Sequence, residues 1–290
     1  MKKLKGILLI VLIVVLIVVV ALIASKVVKG FAQKVDINLS EVQVGNVAFA
    51  NDNVSIELDE NIKVRANIPI FMYHWIKDDT GDYPYPENMV KPSELRKQME
   101  YLNENNYDVI FVSEIGSAQH YDKPVILTFD DGWEDVYIHA FPLAKELNMK
   151  FCMYVIMDLI GEPGYCSMEQ LQEMRDSGLV EIDSHTLSHP RLAEVSVTQA
   201  TSELIDSKAQ LLEKLNIDST VICYPYGSCN ANVLKIAREN YTYGLLMDGG
   251  VFRYNSNLSD MLAIERIYAM RSMSIDTFKN YCVQTYVSVE

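Results

Sequence analysis

The chain has 290 residues, 49% of them hydrophobic and 22% charged, with a formal net charge of −14. That composition suits one large globular domain plus attachments, and the acidic balance makes nucleic acid a poor partner. Five cysteines without paired C-x-x-C spacing exclude a zinc ribbon and a dense disulfide framework.

The first element is Ile7 to Ala24, an unbroken apolar run of 18 residues flanked by Lys2, Lys3 and Lys5 before it and by Lys26 and Lys29 after it. It is long enough to cross a bilayer. The nearest small-residue cleavage site, Gly30-Phe31-Ala32, lies well past the apolar core, so an uncleaved signal anchor is expected rather than a cleaved signal peptide. The excess of lysine before the span places the bulk of the chain outside the cytoplasm. Residues 1–30 thus read as a cytoplasmic tip and a transmembrane anchor. The lipid bilayer is the expected partner there, in a single-pass protein of the cell membrane whose main domain is extracellular. The anchor region holds five of the 25 basic residues and none of the 39 acidic ones, which leaves the exported part at −19.

Residues 31–67 show period-two patches, Val35, Ile37, Leu39 and then Val54, Ile56, Leu58, and read as a stalk or short accessory strands. From Ile68 to the end, short apolar runs alternate with helical periodicity. "IPIFMYH" is strand-like; Leu95, Met99 and Leu102 form a helix stripe; "DVIFV" and "PVILTF" follow as strands. Val136, Ala140, Leu143 and Leu147 then share a helix face that Pro142 should kink or restart. "KFCMYVIM" is the next strand, with Cys152 as core. Ser167-x-x-Gln170 and Ser196-x-x-Gln199 look like capping boxes that open helices, the second carrying Leu204, Leu211 and Leu215 inward. "LVEIDS", "TVICY", "TYGLLM" and "LAIERI" complete the strands, with a helix near Asn232 to Glu239.

Apolar strands each followed by a helix call for an α/β protein with a parallel sheet covered by helices, and about seven repeats suggest closure into a barrel. In a barrel, functional residues gather at the strand ends. Those ends carry His74, the adjacent Asp130 and Asp131, His185 and His189, and Tyr224 to Gly227. Two neighbouring carboxylates repel unless a cation stands beside them, and a divalent metal resolves this if one ligates while the other stays ionised. His185-Thr-Leu-Ser-His189 has the i, i+4 spacing that puts two imidazoles on one side of a helical turn. With Asp131 they make a two-histidine, one-carboxylate face with open positions. Each motif alone also fits a turn or a solvated helix face; their joint position at strand ends is what points to a site. Cys223 and Cys229 bracket a Pro-Gly loop, as a small disulfide or as two free thiols. His120 and His139 read as surface residues.

The motifs "TFDDGW" (Thr128–Trp133), "SHTLSH" (Ser184–His189) and "YPYG" (Tyr224–Gly227) resemble, in order and approximate spacing, those of the polysaccharide deacetylase family, carbohydrate esterase family four. The resemblance spans roughly Ile68 to Phe278. It implies a distorted (β/α) barrel of about seven strands that removes acetyl groups from a sugar polymer with the help of a metal. Carried over by position, Asp130 corresponds to the general base and Asp131, His185 and His189 to the metal ligands, while the backbone N–H of Tyr226 helps hold the oxyanion. The chain departs from the pattern in having no histidine after His189, Cys223 where an arginine is expected, and no clear Asp-x-x-Asp-Trp motif. "IPIFMYHWI", however, resembles the first strand of the bacterial poly-N-acetylglucosamine deacetylases, a subgroup whose acid histidine sits there. That implies His74 as the general acid, and Arg266 in "IERI" is the candidate to fix Asp130 in place of the missing arginine.

The expected activity is N-deacetylation of N-acetylglucosamine units in an extracellular or cell-wall polysaccharide. Such a ligand set suits Zn2+ first, and also Co2+, Ni2+ or Fe2+. An acetylxylan-type O-acetyl esterase and a degenerate sugar-binding barrel are the rival readings. Trp133, Tyr224 and Tyr226 are candidates either to stack on sugar rings or to pack.

Overall fold

The computed structural model describes residues 63–65, 67–253, 261–283 and 286–288. The expected span Ile7–Ala24 and nearly all of the 31–67 segment lie outside them. Among the described residues no helix is long and apolar enough to cross a membrane. Lys63–Arg65 and Tyr286–Ser288 pair as a two-stranded sheet of their own.

The main sheet contains eight strands: β1 (Ile70–Tyr73), β2 (Asp108–Val109), β3 (Pro124–Phe129), β4 (Phe151–Val155), β5 (Val180–Ser184), β6 (Val221–Cys223), β7 (Tyr243–Leu245) and β8 (Ile267–Tyr268). Seven run in the order β7-β6-β5-β4-β3-β1-β8, and β2 joins the start of β3. All pairings are parallel, which demands crossovers and so places helices between the strands, the first two being α1 (Pro92–Glu104) and α2 (Phe141–Leu147). The expected strand over "DVIFV" is shorter than its apolar run, because the chain turns into a 3-10 helix from Val112.

One stretch joins both edges of the sheet. Gly244 and Leu246 donate backbone bonds to Met261 and Ile264, and Ile264 donates back to Gly244, all at 2.8 Å. Three residues on, Ile267 and Tyr268 lie in register with Phe71 and Met72 of β1. The sheet thereby curls into a distorted barrel.

The alternation of side chains divides the core in two. Cys152, Tyr154, Val221, Cys223 and Leu245 face the barrel interior with Ile70 and Ile126. Phe151, Met153, Val155 and Ile182 face outward against Leu171, Met174, Leu211 and Leu215 of the helices. Those leucines sit on α3 (Met168–Asp176) and α4 (Val197–Leu215), and each helix begins as its sequence requires. Ser167 and Gln170 form the reciprocal capping box, whereas Ser196 accepts from the Gln199 N–H as a plain cap, not the reciprocal box its spacing suggested. Pro142 cannot donate to Ile138, and a π-helical turn, Val136–Ala140, precedes the regular helix Phe141–Leu147.

Closure leaves no room at Gly244. A Cβ there would lie 2.5 Å from the Tyr224 Oη and 2.6 Å from the Leu262 carbonyl of the closing stretch. Gly244→Ala is therefore expected to destabilise the chain by about 1–3 kcal/mol, the ordinary cost of overpacking, in urea titrations. Unchanged stability would show that the closing stretch yields freely.

Candidate active site

Each residue singled out at a strand end sits on the first turn beyond the ladder. Asp130 N donates to Tyr73 O of β1 and His185 N to Val155 O of β4, both at 2.9 Å, so the backbone pairing carries these residues to the barrel rim. His74, Asp130, Asp131, His185, His189 and Tyr226 line one cleft of about 470 Å³. Its walls are aromatic, formed by Trp75, Tyr83, Tyr85, Trp133, Tyr165 and Tyr268.

Asp131, His185 and His189 converge. The Nε2 atoms of both histidines lie 3.3 Å from Asp131 Oδ1. His185 Nδ1 is 2.8 Å from the Cys223 carbonyl, which can only accept, so Nδ1 carries the proton and Nε2 presents its lone pair. Trp133 Nε1–H occupies the other Asp131 oxygen, Oδ2, at 2.9 Å. Burial alone would raise the Asp131 pKa, but with no cation between them the ring nitrogens of His185 and His189 can carry protons toward its carboxylate, and their pull holds it well below the usual carboxylate range. Two imidazole nitrogens and one carboxylate oxygen on a single point fit a divalent ion with positions left open. Asp130, His185 and Cys223 lie equally close together, but a guanidinium already covers Asp130 and the Cys223 sulfur, so that group does not suit a cation.

The convergence does not come from a helical turn, as the i, i+4 spacing suggested. Residues 185–189 form an irregular loop in which Thr186 (φ 70°) and His189 (φ 63°) adopt the left-handed conformation. Such a φ is costly for a β-branched residue. Asp131 (φ 72°) and Tyr226 (φ 60°) share it, whereas the remaining non-glycine cases among the described residues are asparagines, Asn106, Asn148 and Asn216. The strained backbone is thus concentrated at the cleft, as at functional sites generally. Glu203 of α4 holds the histidine loop, its carboxylate accepting from Leu187 N, Ser188 N and Ser188 Oγ at 2.9, 2.9 and 2.6 Å.

Asp130 has a different partner. Arg266, with no exposed surface, grips it bidentately, Nη1 to Oδ1 and Nη2 to Oδ2, both at 2.7 Å. The same guanidinium donates to Thr128 Oγ1 and Cys223 Sγ, and its Nε to Leu246 O. The small Cys223 side chain leaves this space open. Burial raises the Asp130 pKa, the Arg266 charge outweighs it, and the net shift is downward. His74, buried between Trp75 and Tyr268, has ring centroids 6.1 and 5.8 Å away, and its Nδ1 has no hydrogen-bond partner. Burial pushes its pKa down against the pull of Asp131 and Asp130.

Of the other sequence candidates, Tyr224 is buried in the core and cannot stack on a sugar, whereas Tyr226 is 48% exposed on the cleft wall. Cys223 and Cys229 are free thiols. His120 and His139 are exposed, away from the cleft. Sequence reasoning missed Glu203, whose one signal was an acid on the buried stripe of α4 with Ala200, Leu204 and Leu211. It also passed over Tyr165 and Tyr268, which look like any other aromatic residues until the loops bring them to the cleft.

A parallel α/β barrel with a two-histidine, one-carboxylate cluster and a second acid on its rim defines a class, that of barrel hydrolases suited to a metal. Residues 117–243 match the sequence profile described as polysaccharide deacetylase. YxkH of Bacillus subtilis (strain 168), which carries that family's name, is 31% identical over 222 residues, covering 74% of this chain and 76% of its own. The Escherichia coli (strain K12) poly-beta-1,6-N-acetyl-D-glucosamine N-deacetylase is 21% identical over 254 residues, 71% of this chain and 37% of that longer protein. The structure of the Streptococcus pyogenes deacetylase PplD in complex with acetate superposes with a TM-score of 0.70 at 29% identity, covering 76% of this chain and 100% of the other. The chain belongs to the polysaccharide deacetylase family.

The buried ion pair gives a direct test. Arg266→Leu strands a carboxylate without its cation and should cost about 3–5 kcal/mol at pH 7. The depressed pKa of Asp130 means that its contribution to stability is present above the unfolded carboxylate pKa and is lost as pH falls through the folded value. In the variant, desolvation raises that pKa instead. The difference between wild type and variant, read from urea titrations at several pH values, should therefore shrink on acidification. A pH-independent difference would contradict the pairing.

Proposed function

We propose that this chain is a membrane-anchored, outward-facing, metal-dependent deacetylase that removes N-acetyl groups from N-acetylglucosamine units of an extracellular or cell-wall polysaccharide. The observation that carries the reading is the split fate of two adjacent buried acids, Asp131 on the imidazoles and Asp130 on Arg266, both lining one cleft with His74. The E. coli relative, named for N-deacetylation of poly-beta-1,6-N-acetyl-D-glucosamine, supports the substrate class, and the lysine-flanked apolar run Ile7–Ala24 supports the anchor.

Asp131, His185 and His189 hold the metal, zinc in preference to cobalt, nickel or iron. When bound, such an ion polarises an acetyl carbonyl and lowers the pKa of a water molecule. Asp130 takes a proton from the attacking water at its carboxylate. Arg266 keeps that carboxylate ionised and fixes its plane, weakening it as a base but guaranteeing that it starts without a proton. The N–H of Tyr226 faces the negative charge that develops on the acetyl oxygen. His74 in its imidazolium form delivers a proton to the departing amine; burial lowers its pKa, which makes that imidazolium a stronger acid while reducing the share of molecules that carry it. Cleft aromatics with an open face, Tyr226 among them, offer apolar surface to sugar rings.

Asp130→Asn should abolish acetate release from N-acetylglucosamine oligomers while the protein keeps its metal, and Asp131→Ala should lose the metal. His74→Ala should slow amide cleavage by about 10²–10⁴-fold but affect acetylated xylan less, since an alkoxide leaves with less help. Acetate release undiminished in Asp130→Asn would sink the mechanism. A wild-type preference for acetylated xylan would favour the O-esterase reading.

A further inference from the structure

Trp133 stands two residues past Asp131, and its indole is fixed on three sides. Its Nε1–H donates to Asp131 Oδ2 at 2.9 Å. Its ring centroid lies 4.2 Å from that of Tyr165 and 4.4 Å from that of Trp75. Rings so close would collide if they shared one face of the indole, so they cover opposite faces. The backbone is clipped too: Trp133 bridges Tyr165, and Cys166 N donates to Gly132 O at 2.9 Å. An indole with both faces covered has none left for a sugar ring.

We infer that Trp133 is a positioning residue for the metal ligand Asp131, acting through its N–H and not as a sugar platform. The inference rests on the reading of Asp131, His185 and His189 as a metal site. The terminal torsion of an aspartate is broad and nearly two-fold, so a free carboxylate can turn either oxygen, or neither, toward the histidines. A donor locked on Oδ2 removes that freedom. It reserves Oδ1, 3.3 Å from both Nε2 atoms, as the single ligating oxygen. The indole thus does for the carboxylate what the Cys223 carbonyl does for His185. Partners of this kind are worth 10- to 100-fold in metal affinity. The sugar-stacking surface passes to the cleft aromatics with an open face, Tyr226 foremost at 48% exposure.

The test uses the full chain with two replacements at position 133. Trp133→Phe keeps a stacking ring and deletes the donor. Site-specific insertion of 3-benzothienylalanine, in which sulfur replaces the indole N–H, deletes only the donor and guards against misfolding of the first variant. Zn2+ and Co2+ affinities are measured by chelator competition, and Michaelis constants on N-acetylglucosamine oligomers alongside. Both replacements should weaken metal binding by about 10- to 100-fold with thermal stability of the benzothienyl protein and the Michaelis constant little changed. Metal affinity within two-fold of wild type in the benzothienyl protein would overturn the inference, and a raised Michaelis constant with intact affinity would restore the sugar-platform role. A wild-type chain that binds neither ion overturns the metal-site reading itself, and the inference with it.

Discussion

Two carboxylates on neighbouring residues, both buried at the end of β3, are the constraint around which this fold is organised. Asp130 and Asp131 have 2% and 7% of their surfaces exposed, so neither can dispose of its charge into water. Unpaired, each would cost several kcal/mol and would take up a proton. The chain gives them separate partners from opposite directions. Arg266 arrives just ahead of β8, and the imidazoles arrive from the loop after β5. The imidazoles come within reach through the adjacent pairs β3-β4 and β4-β5, whereas Arg266 lies in the stretch that bonds to β7 before its strand β8 reaches β1, the neighbour of β3.

The same economy explains the backbone. Left-handed residues other than glycine cost of order 1–3 kcal/mol each; three of them, Asp131, His189 and Tyr226, line one cleft, and a fourth, Thr186, follows the cleft residue His185 directly. The surroundings hold them there: Glu203 accepts three hydrogen bonds from the histidine loop, and Thr186 Oγ1 accepts from His189 N at 3.1 Å. A regular helical turn would have satisfied the backbone without such help. Here an irregular loop brings two Nε2 atoms onto the same carboxylate oxygen, and the geometry of the ligands has prevailed over local propensity.

Cys223 illustrates how a departure from a family pattern becomes intelligible in three dimensions. A small residue at the end of β6 leaves a space beside Asp130, and a guanidinium anchored forty-three positions later fills it, touching the cysteine sulfur at 3.1 Å. The charge that steadies Asp130 is retained while the strand that supplies it changes. Its bidentate, fully buried geometry is what arginine, and not lysine, can provide.

Much of this was legible in the linear chain. Short apolar runs, helical stripes such as Leu95, Met99 and Leu102, the Ser167 capping box and Pro142 determined where strands and helices form, because those signals are local and each is satisfied within a few residues. The residue types for metal and proton chemistry, and their placement at strand ends, were likewise written in the motifs around Asp130, His185 and Tyr226. The sequence alone could not say which groups touch: that Glu203 clamps a loop sixteen residues away, that Trp133 is covered on both faces, that Tyr224 is buried while Tyr226 stands in the cleft, or that Arg266 meets Asp130 across 136 positions. Those facts depend on the closure of the barrel and on the course of its loops. They were decided only in the tertiary structure, where burial forces every charge to find a partner and distance along the chain ceases to matter.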